Sequence, residues 1–538
     1  MAHRPSRLRI INELGAPRTL PAGPESFARL DPVRKGTASP GGRVLVLGLG
    51  PDPAAIAALL PPGARVAYVE CPAFAAHMPS AWRDAVPRHW EELPPDAAAS
   101  AASLCADAAV FLYEQAPRLF PSFWGPVLGA CRLALQAAAR PGPRPEPSDV
   151  VVLPGSESGL LIRELTHAFA SAGFTVLRVA PDATHRDVPA LLADVRPRLF
   201  VSVNFQGLDA HGELYHLLEA AGTRVCAWCV DNPWHLVSGL KSPFWKRMRL
   251  FVTDASFLPG LRAHGATHLT HLPLAAWPEG FGAPAAPDGT GGPCVNVIDD
   301  QAYADLATRI VFVGRTAFPG KQGFFSGCRP PDADWAEAQA MLAQGQRPDF
   351  FWWVSRVAAR CGSLRPEALW PGNGVRVAGL GAEEAGRAWR GLCVRAANRD
   401  GLATVFGDDG WRGLAPDVAD LRGPLDYYGP LAAVYRHAGC VLNATSLLLP
   451  AGLTQRHFDV WIAGGTLVSD ATPGLDIFPE ELVAPMRVAR AAAIPDRAAA
   501  LMADPARRAA LCAAWRAHLL ARHTYAHRVA TLLRAAAL

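Results

Sequence analysis

At 538 residues the chain is longer than one hydrophobic core accommodates, so two or three domains are expected. Half of it is hydrophobic and 19% is charged, a globular balance that argues against an extended disordered chain. The formal charge is only +4, and apart from Lys35, Lys241, Lys246 and Lys321 its 52 basic residues are arginines scattered without a stripe, which argues against a nucleic-acid-binding face.

Residues 1–5 begin no apolar run of the kind a signal peptide needs. Nothing approaches the ~18 uninterrupted apolar residues of a spanning helix. A soluble, cytoplasmic protein, at most peripheral to a membrane, is the expectation. The eleven cysteines are odd in number and dispersed, and only Cys226 and Cys229 form a CxxC. That pair lies within 224–230, an apolar run that reads as a buried strand with the two sulfurs on opposite faces, hence core cysteines of a reducing compartment.

Two breaks divide the chain. Residues 141–147 form a stiff proline-rich linker, and 282–293 a glycine-rich flexible one. The domains expected are therefore 1–146, 147–290 and 291–538. Each alternates short apolar strands with longer amphipathic helices, the pattern of α/β units with parallel sheets. Strands are expected at 43–47, 65–69, 149–153, 174–179, 199–203, 225–230, 250–252, 310–313, 403–406, 440–442 and 467–468. A helix is expected at 160–172, and 330–360 reads as mainly helical, with the aromatic cluster 350–353 forming a buried face.

Gly48 and Gly50 follow the first strand and precede a helix, where glycine lets backbone N–H groups approach an anionic or polar cofactor. Glu70, at the end of the next strand, is placed to bind ribose hydroxyls. The third glycine of a dinucleotide fingerprint is missing and Pro51 and Pro53 stiffen the loop, so a Rossmann-shaped domain without a cofactor is as good a reading. A similar turn at Gly155, Ser156 and Gly159 suits a polar ligand or a plain strand-to-helix connection. Asp231 and His235 follow the strand at 225–230, where side chains line the crevice of a parallel sheet; either a base or hydroxyl-orienting role, or an Asp-Asn-Pro turn, fits. Asp408 and Asp409 lie between glycines and read as a turn rather than a cation site.

The richest stretch is 443–470. Thr454 stands where a helix should begin, Phe458, Trp461 and Ile462 have helical apolar spacing, and Gly464 and Gly465 end the helix. Gln455 and Arg456 in its first turn would add donors and a charge for a diphosphate, and Asp459, one turn on, would accept from ribose hydroxyls. An ordinary helix start with an incidental arginine has the same spacing.

This stretch resembles the C-terminal half of GT-B glycosyltransferases, in which an acidic residue precedes a helix ending in alanine and glycine. It is more specifically similar to the CgeB-like, spore-maturation type, on Gly452, Leu453, Gln455, Arg456, Phe458 and Asp459 and on the closing His523, Thr524, Tyr525 and Arg528. Residues 251–256, 261–265 and 271–275 resemble the end of that family's N-terminal lobe, and Gly314 and Arg315 the glycine loop of its donor lobe. The resemblance covers 149–538. It implies two Rossmann-like lobes with parallel sheets and leaves 1–146 unexplained, where the strand and helix pattern itself reads as an extra N-terminal Rossmann-like α/β domain. It implies transfer of a sugar from a nucleotide-diphosphate donor to an acceptor (polysaccharide, surface protein or small molecule), without a metal or other cofactor. The donor would be held by Gly314, Arg315, Asn443, Thr454, Gln455, Arg456, Asp459, Gly464 and Gly465. The first acidic residue of the family's spaced pair has no counterpart near 449–452, which leaves recognition of the donor sugar unassigned. A nucleotide-sugar epimerase, a non-catalytic nucleotide-sugar-binding protein, and a methyltransferase in the N-terminal domain are the alternatives.

Overall fold

Runs of valine, leucine and isoleucine form parallel strands here because such side chains fill both faces of a sheet covered by helices. The computed structural model describes residues 8–30, 42–94, 96, 98–140, 142–143, 145–282, 300–360, 369–372 and 374–538. The linker expected at 141–147 is thus described in part, and that expected at 282–293 lies, beyond Gly282, outside the described residues. By packing, residues 1–157, 173–227 and 239–249 form one compact unit, and 158–172, 228–238 and 250–538 another.

In the first unit, β1 (Phe27–Arg29), β2 (Arg43–Leu47), β3 (Arg65–Val69), β4 (Glu91–Glu92) and β5 (Ala109–Tyr113) make a sheet in the order β1-β5-β2-β3-β4. All neighbours are parallel except β1, which runs against β5. The central strand β2 buries Val44, Leu45, Val46 and Leu47. The long helix α1 (Pro121–Ala139) adds Trp124, Val127, Leu128 and Cys131 to the same core. The unit also contains β6 (Pro147–Pro154), β7 (Thr175–Val179), β8 (Arg196–Val203) and the start of β9 (Arg224–Cys229), in the order β9-β8-β6-β7. Cys226 and Cys229 are both buried in β9, as a core strand requires.

The second unit holds the helix α2 (Ile162–Ser171), the end of β9, the short helix α3 (Pro233–Val237), β10 (Arg249–Val252) and β11 (His268–His271), with strand order β11-β10-β9. Its main sheet comprises β12 (Ile310–Val313), β13 (Ala403–Phe406), β14 (Asp420–Arg422), β15 (Cys440–Asn443), β16 (Leu467–Asp470) and β17 (Arg487–Val488). They are ordered β14-β13-β12-β15-β16-β17, every neighbouring pair parallel. Alternation along β12 divides the core: Val311 joins the cluster on one face, Ile310 and Phe312 that on the other.

Helices α4 (Asp332–Ala343), α5 (Phe350–Arg360) and α6 (Gly374–Ala397) follow β12 in the chain, and α6 covers the Phe312 face through Ala385, Trp389 and Cys393. On the opposite face, α7 (Arg456–Ile462) packs Phe458, Trp461 and Ile462 against the sheet. Trp461 stacks on Trp515 of α8 (Pro505–Arg522), 5.1 Å between centroids and nearly coplanar at 5°. The chain closes with α9 (Tyr525–Ala535). Only part of the aromatic cluster in α5 is a buried face: Phe350 and Trp353, one turn apart, are sealed, whereas Phe351 is 38% exposed. Among the described residues no helix is long and apolar enough to cross a membrane.

Candidate functional site

The chain runs from β12 to β13 and β14 on one side, then returns to lay β15, β16 and β17 on the other. The loops leaving the carboxyl ends of β12 and β15 therefore diverge, and such a switch point leaves a crevice above the sheet. A cavity of about 520 Å³ opens there. Its wall includes Arg315 and Phe318 after β12, Glu383 and Arg390 of α6, Ser446, Leu448 and Leu449 after β15, and Asp231, Asn232 and His235 around the start of α3.

Three guanidinium groups meet the loop that follows β12. Arg315 belongs to it, is exposed, and makes no hydrogen bond or ion pair among the described residues. Arg390 donates to the Thr316 carbonyl at 2.8 Å. Arg456 lies behind Gly314, its Nη2 3.1 Å from where a Cβ at that glycine would sit, so a side chain there would meet the guanidinium. Among the described residues only Arg390 of the three has an acidic partner, Glu383, at 3.2 Å. Arg456 donates from Nη1 to Asn443 Oδ1 at 3.3 Å and stands 5.2 Å from the Phe312 ring centroid, while its Nε is buried without a partner. Burial pulls this guanidinium below the ordinary arginine range. The loop is held still by Asp408, which accepts from the Thr316 amide at 2.9 Å and hydroxyl at 2.7 Å and from the Gly410 amide at 3.1 Å. The Asp408–Asp409 pair is thus a turn that braces the loop. On the wall of the crevice Arg315 and Arg390 stand with Asp231 and Glu383, while the Arg456 guanidinium lies behind the loop as a further cation.

Several residues expected on the donor side are used internally. The regular helix α7 begins at Arg456, two residues later than the sequence suggests, and Thr454 caps nothing. Its hydroxyl donates to Asn443 Oδ1 at 2.7 Å instead, and its amide donates to His457 Nδ1 at 3.0 Å. His457 in turn lies 3.0 Å from the Ser469 hydroxyl and is driven down to about 4 by burial, so the ring is neutral. Gln455 donates to the Ala275 carbonyl at 2.7 Å and to Asp459 at 2.9 Å, and accepts from the Tyr525 hydroxyl at 3.0 Å. Both ends of the Gln455 side-chain amide are thereby engaged within the protein. Asp459 is 1% exposed, accepts also from Tyr427 at 2.9 Å, and is pushed well above the usual carboxylate range by burial. It faces the interior rather than a ribose. Gly464 and Gly465 stand at the far end of α7, about 10 Å along its axis. Gly464, at φ 84°, and Gly465 return their amides to the Trp461 and Val460 carbonyls, a helix stop of the Schellman kind. A Cβ on Gly465 would fall 2.3 Å from the Tyr435 carbonyl oxygen, so that glycine serves close packing. The sequence marked the helix stop; it carried no sign of Glu383, Arg390, His457 or Ser469 as members of the region.

Around α3, Asn232 and not Asp231 caps the helix, accepting from the Trp234 amide at 3.0 Å, and its Nδ2 donates to the Leu448 carbonyl at 2.9 Å. Asp231 is exposed on the cavity wall. His235 is less suited to base chemistry than its position in the sequence suggests. Its ring is packed against Phe324, Phe325 and Phe350, its Nε2 sits 1.9 Å from where a Cβ at Gly379 would be, and burial takes it down to about 4. Gly155 and Ser156 belong to the first unit, where the Gly155 amide donates to the Val179 carbonyl. Gly159 belongs to the second, where its carbonyl accepts from the Ile162 amide and from the Tyr428 hydroxyl.

The glycine turn of the first unit is filled from within. Gly48 and Gly50 have φ of 82° and 65°, and a Cβ on Gly50 would sit 3.1 Å from the Tyr113 ring. The Leu49 amide, which would face a cofactor, donates to Glu70 Oε2 at 2.7 Å, and the Cys71 amide to Glu70 Oε1 at 2.7 Å. Trp82 closes the turn through the Gly50 carbonyl at 2.8 Å. Burial outweighs the two amide bonds and pushes Glu70 up to about 8. The folded chain then keeps a proton that the unfolded chain releases near 4.5. The stabilisation is complete below that pH and is lost as pH rises toward 8, at about 1.4 kcal/mol per pH unit. Urea unfolding of the full chain at pH 5, 6.5 and 8 should show this decline, and Glu70→Gln should flatten it.

The crevice above a switch point of a parallel sheet is where α/β proteins bind their ligands. Comparison gives a class for one region: residues 387–534 match the family model described as glycosyl transferase-like. That segment holds Arg390, Asn443 and Arg456. No curated protein matches the chain. Among solved structures, the chain is similar to HepE of Anabaena in complex with UDP and glucose, at 8% identity and TM-score 0.40, over 72% of this chain and 98% of that one. An apo structure of OtsA gives 11% identity and TM-score 0.40 over 72% and 98%, and a UDP-forming α,α-trehalose-phosphate synthase of Burkholderia vietnamiensis 10% and 0.39 over 72% and 100%.

Proposed function

We propose that the protein is a glycosyltransferase of GT-B type that moves a sugar from a nucleotide-diphosphate donor to an acceptor. The observation that carries this reading is the meeting of Arg315, Arg390 and Arg456 at the loop after β12, where among the described residues only Arg390 is ion-paired, with Glu383. Such a set stabilises the charge that gathers on a departing diphosphate. The glycosyl transferase-like match over 387–534 supplies the reaction class. In this reading 291–538 hold the donor, 147–290 the acceptor, and 1–146 have no assigned role. The diphosphate is neutralised by arginine rather than by a metal. The finer likeness to the spore-maturation type rests on 452–459 and 523–528 alone.

Asp231 is the group we assign to orient or deprotonate the acceptor hydroxyl, because its carboxylate lies on the cavity wall while His235 is sealed among aromatic rings. The test is a thermal-shift screen of nucleotide sugars and nucleoside diphosphates, followed by transfer from a labelled donor to water or added acceptors. Binding follows as a rise in unfolding temperature with ligand concentration. Release of free nucleoside diphosphate is the expected result. Interconversion of sugars with the nucleotide still attached would make the protein an epimerase, and no shift with any nucleotide would overturn the reading.

A further inference from the structure

Glu383 is a buried carboxylate whose presence the diphosphate site does not require. It is 4% exposed, yet it forms part of the cavity wall. α6 passes close to the loop after β15 at Gly386, where a Cβ would stand in ordinary contact, 3.4 Å from the Leu447 amide nitrogen. Of the Glu383 oxygens, Oε1 accepts from Arg390 at 3.2 Å. Oε2 makes no hydrogen bond among the described residues and is not sealed off from the cavity. A carboxylate oxygen that faces a cavity with no protein donor on it is a strong acceptor left for a ligand that brings O–H groups. A phosphate brings only acceptors and negative charge, so it is repelled from this point and drawn to Arg315 and Arg456 instead.

Building on the donor reading above, we infer that Glu383 recognises hydroxyl groups of the transferred sugar, accepting from them through Oε2 while Arg390 fixes its rotamer through Oε1. The two ends of a nucleotide sugar are thus sorted by charge: the diphosphate toward the unpaired arginines, the hydroxyls toward the carboxylate. Glu383 lies nearly seventy residues before the segment where a sugar-binding acid was expected and has no counterpart.

The experiment measures calorimetric affinities of the full chain and of the Glu383→Gln and Glu383→Ala variants for UDP-glucose and GDP-mannose, and for UDP and GDP alone. The expected result is a loss of about tenfold or more for the sugar nucleotide in both variants, with the matching diphosphate unchanged within about threefold or tighter. A structural role would lower both affinities together, and that outcome, or no change in either, overturns the inference. Glu383→Gln keeps the volume and decides the question if Glu383→Ala does not fold. A wild type that binds UDP or GDP while gaining nothing from the sugar overturns the role of Glu383 alone. A wild type that binds none of the four overturns the donor reading and this inference with it.

Discussion

Arg456→Met is expected to lower turnover at least a hundredfold while leaving the ligand-free protein as stable as wild type or more so. The two effects share one cause. Arg456 carries a charge into a place where, among the described residues, its Nε has no partner and no carboxylate lies within ion-pair distance, Asp470 and Asp459 acting on it only from farther off. Burial already pulls its guanidinium below the ordinary range. An uncompensated buried charge is retained against the interest of stability, and an apolar side chain of similar length removes that cost, here about 1 kcal/mol because the group is not wholly enclosed. The replacement forfeits the bond to Asn443, whose Oδ1 keeps the Thr454 hydroxyl, and the cation facing Phe312. A preorganised donor aimed at developing charge is worth about 10²–10³ in rate when removed. Thermal unfolding without ligand and kcat with the best donor of the screen check both halves. Unchanged turnover would remove Arg456 from the site, and a large fall in stability would show that its charge is structural.

Where side chains alternate between two covered faces, the sequence showed the strands almost residue for residue: 310–313 and 403–406 are β12 and β13 as expected. Boundaries shifted where a polar or strained residue intervened. The helix expected from 160 starts at Ile162 because Leu161 takes a left-handed φ of 63°. α7 starts late because the Thr454 hydroxyl is drawn to Asn443, 11 residues earlier in the chain. Arginine at the start of that helix was legible as charge, but whether Gln455 and Asp459 face a ligand or each other depends on Tyr427 and Tyr525, which no local pattern connects to them. Glu383 and Arg390 were invisible for a related reason. They sit mid-helix in an alanine- and arginine-rich run, and only the crossing of α6 over the switch point brings Arg390 to Thr316, 74 residues away. In the first unit, glycine and acid were both legible as a cofactor pattern; that the acid consumes the loop's own amide was not.

Asp470→Ala should cost about 3–5 kcal/mol, a large part of the stability of a typical domain. Asp470 ends β16 and is 1% exposed. Its Oδ1 accepts from the Thr445 amide at 2.9 Å, and its Oδ2 from the Thr445 hydroxyl at 2.6 Å and the Trp389 indole at 2.8 Å. The Arg347 guanidinium stands 3.5 Å away and also reaches the Thr445 hydroxyl and the Ala471 carbonyl. Truncation strands three donors in a dry interior and leaves a cation without its counter-ion. Asp470→Asn keeps the shape but turns an amide toward these donors, so it should fall between. The loss reaches the crevice because Asp470 is one of the points that fasten the loop after β15, others being Leu447 to the Phe350 amide, Leu448 to Asn232, and the Ala451 amide to Asp254 at 3.0 Å. Freeing the Asp470 point lets the wall formed by Ser446 and Leu448 move while the arginines stay in place. Nucleotide-sugar affinity should then fall more than affinity for the diphosphate alone. Urea unfolding and calorimetry on the same samples separate the two effects, and a stability loss under about 1 kcal/mol would show that the network around Asp470 does not act as a unit.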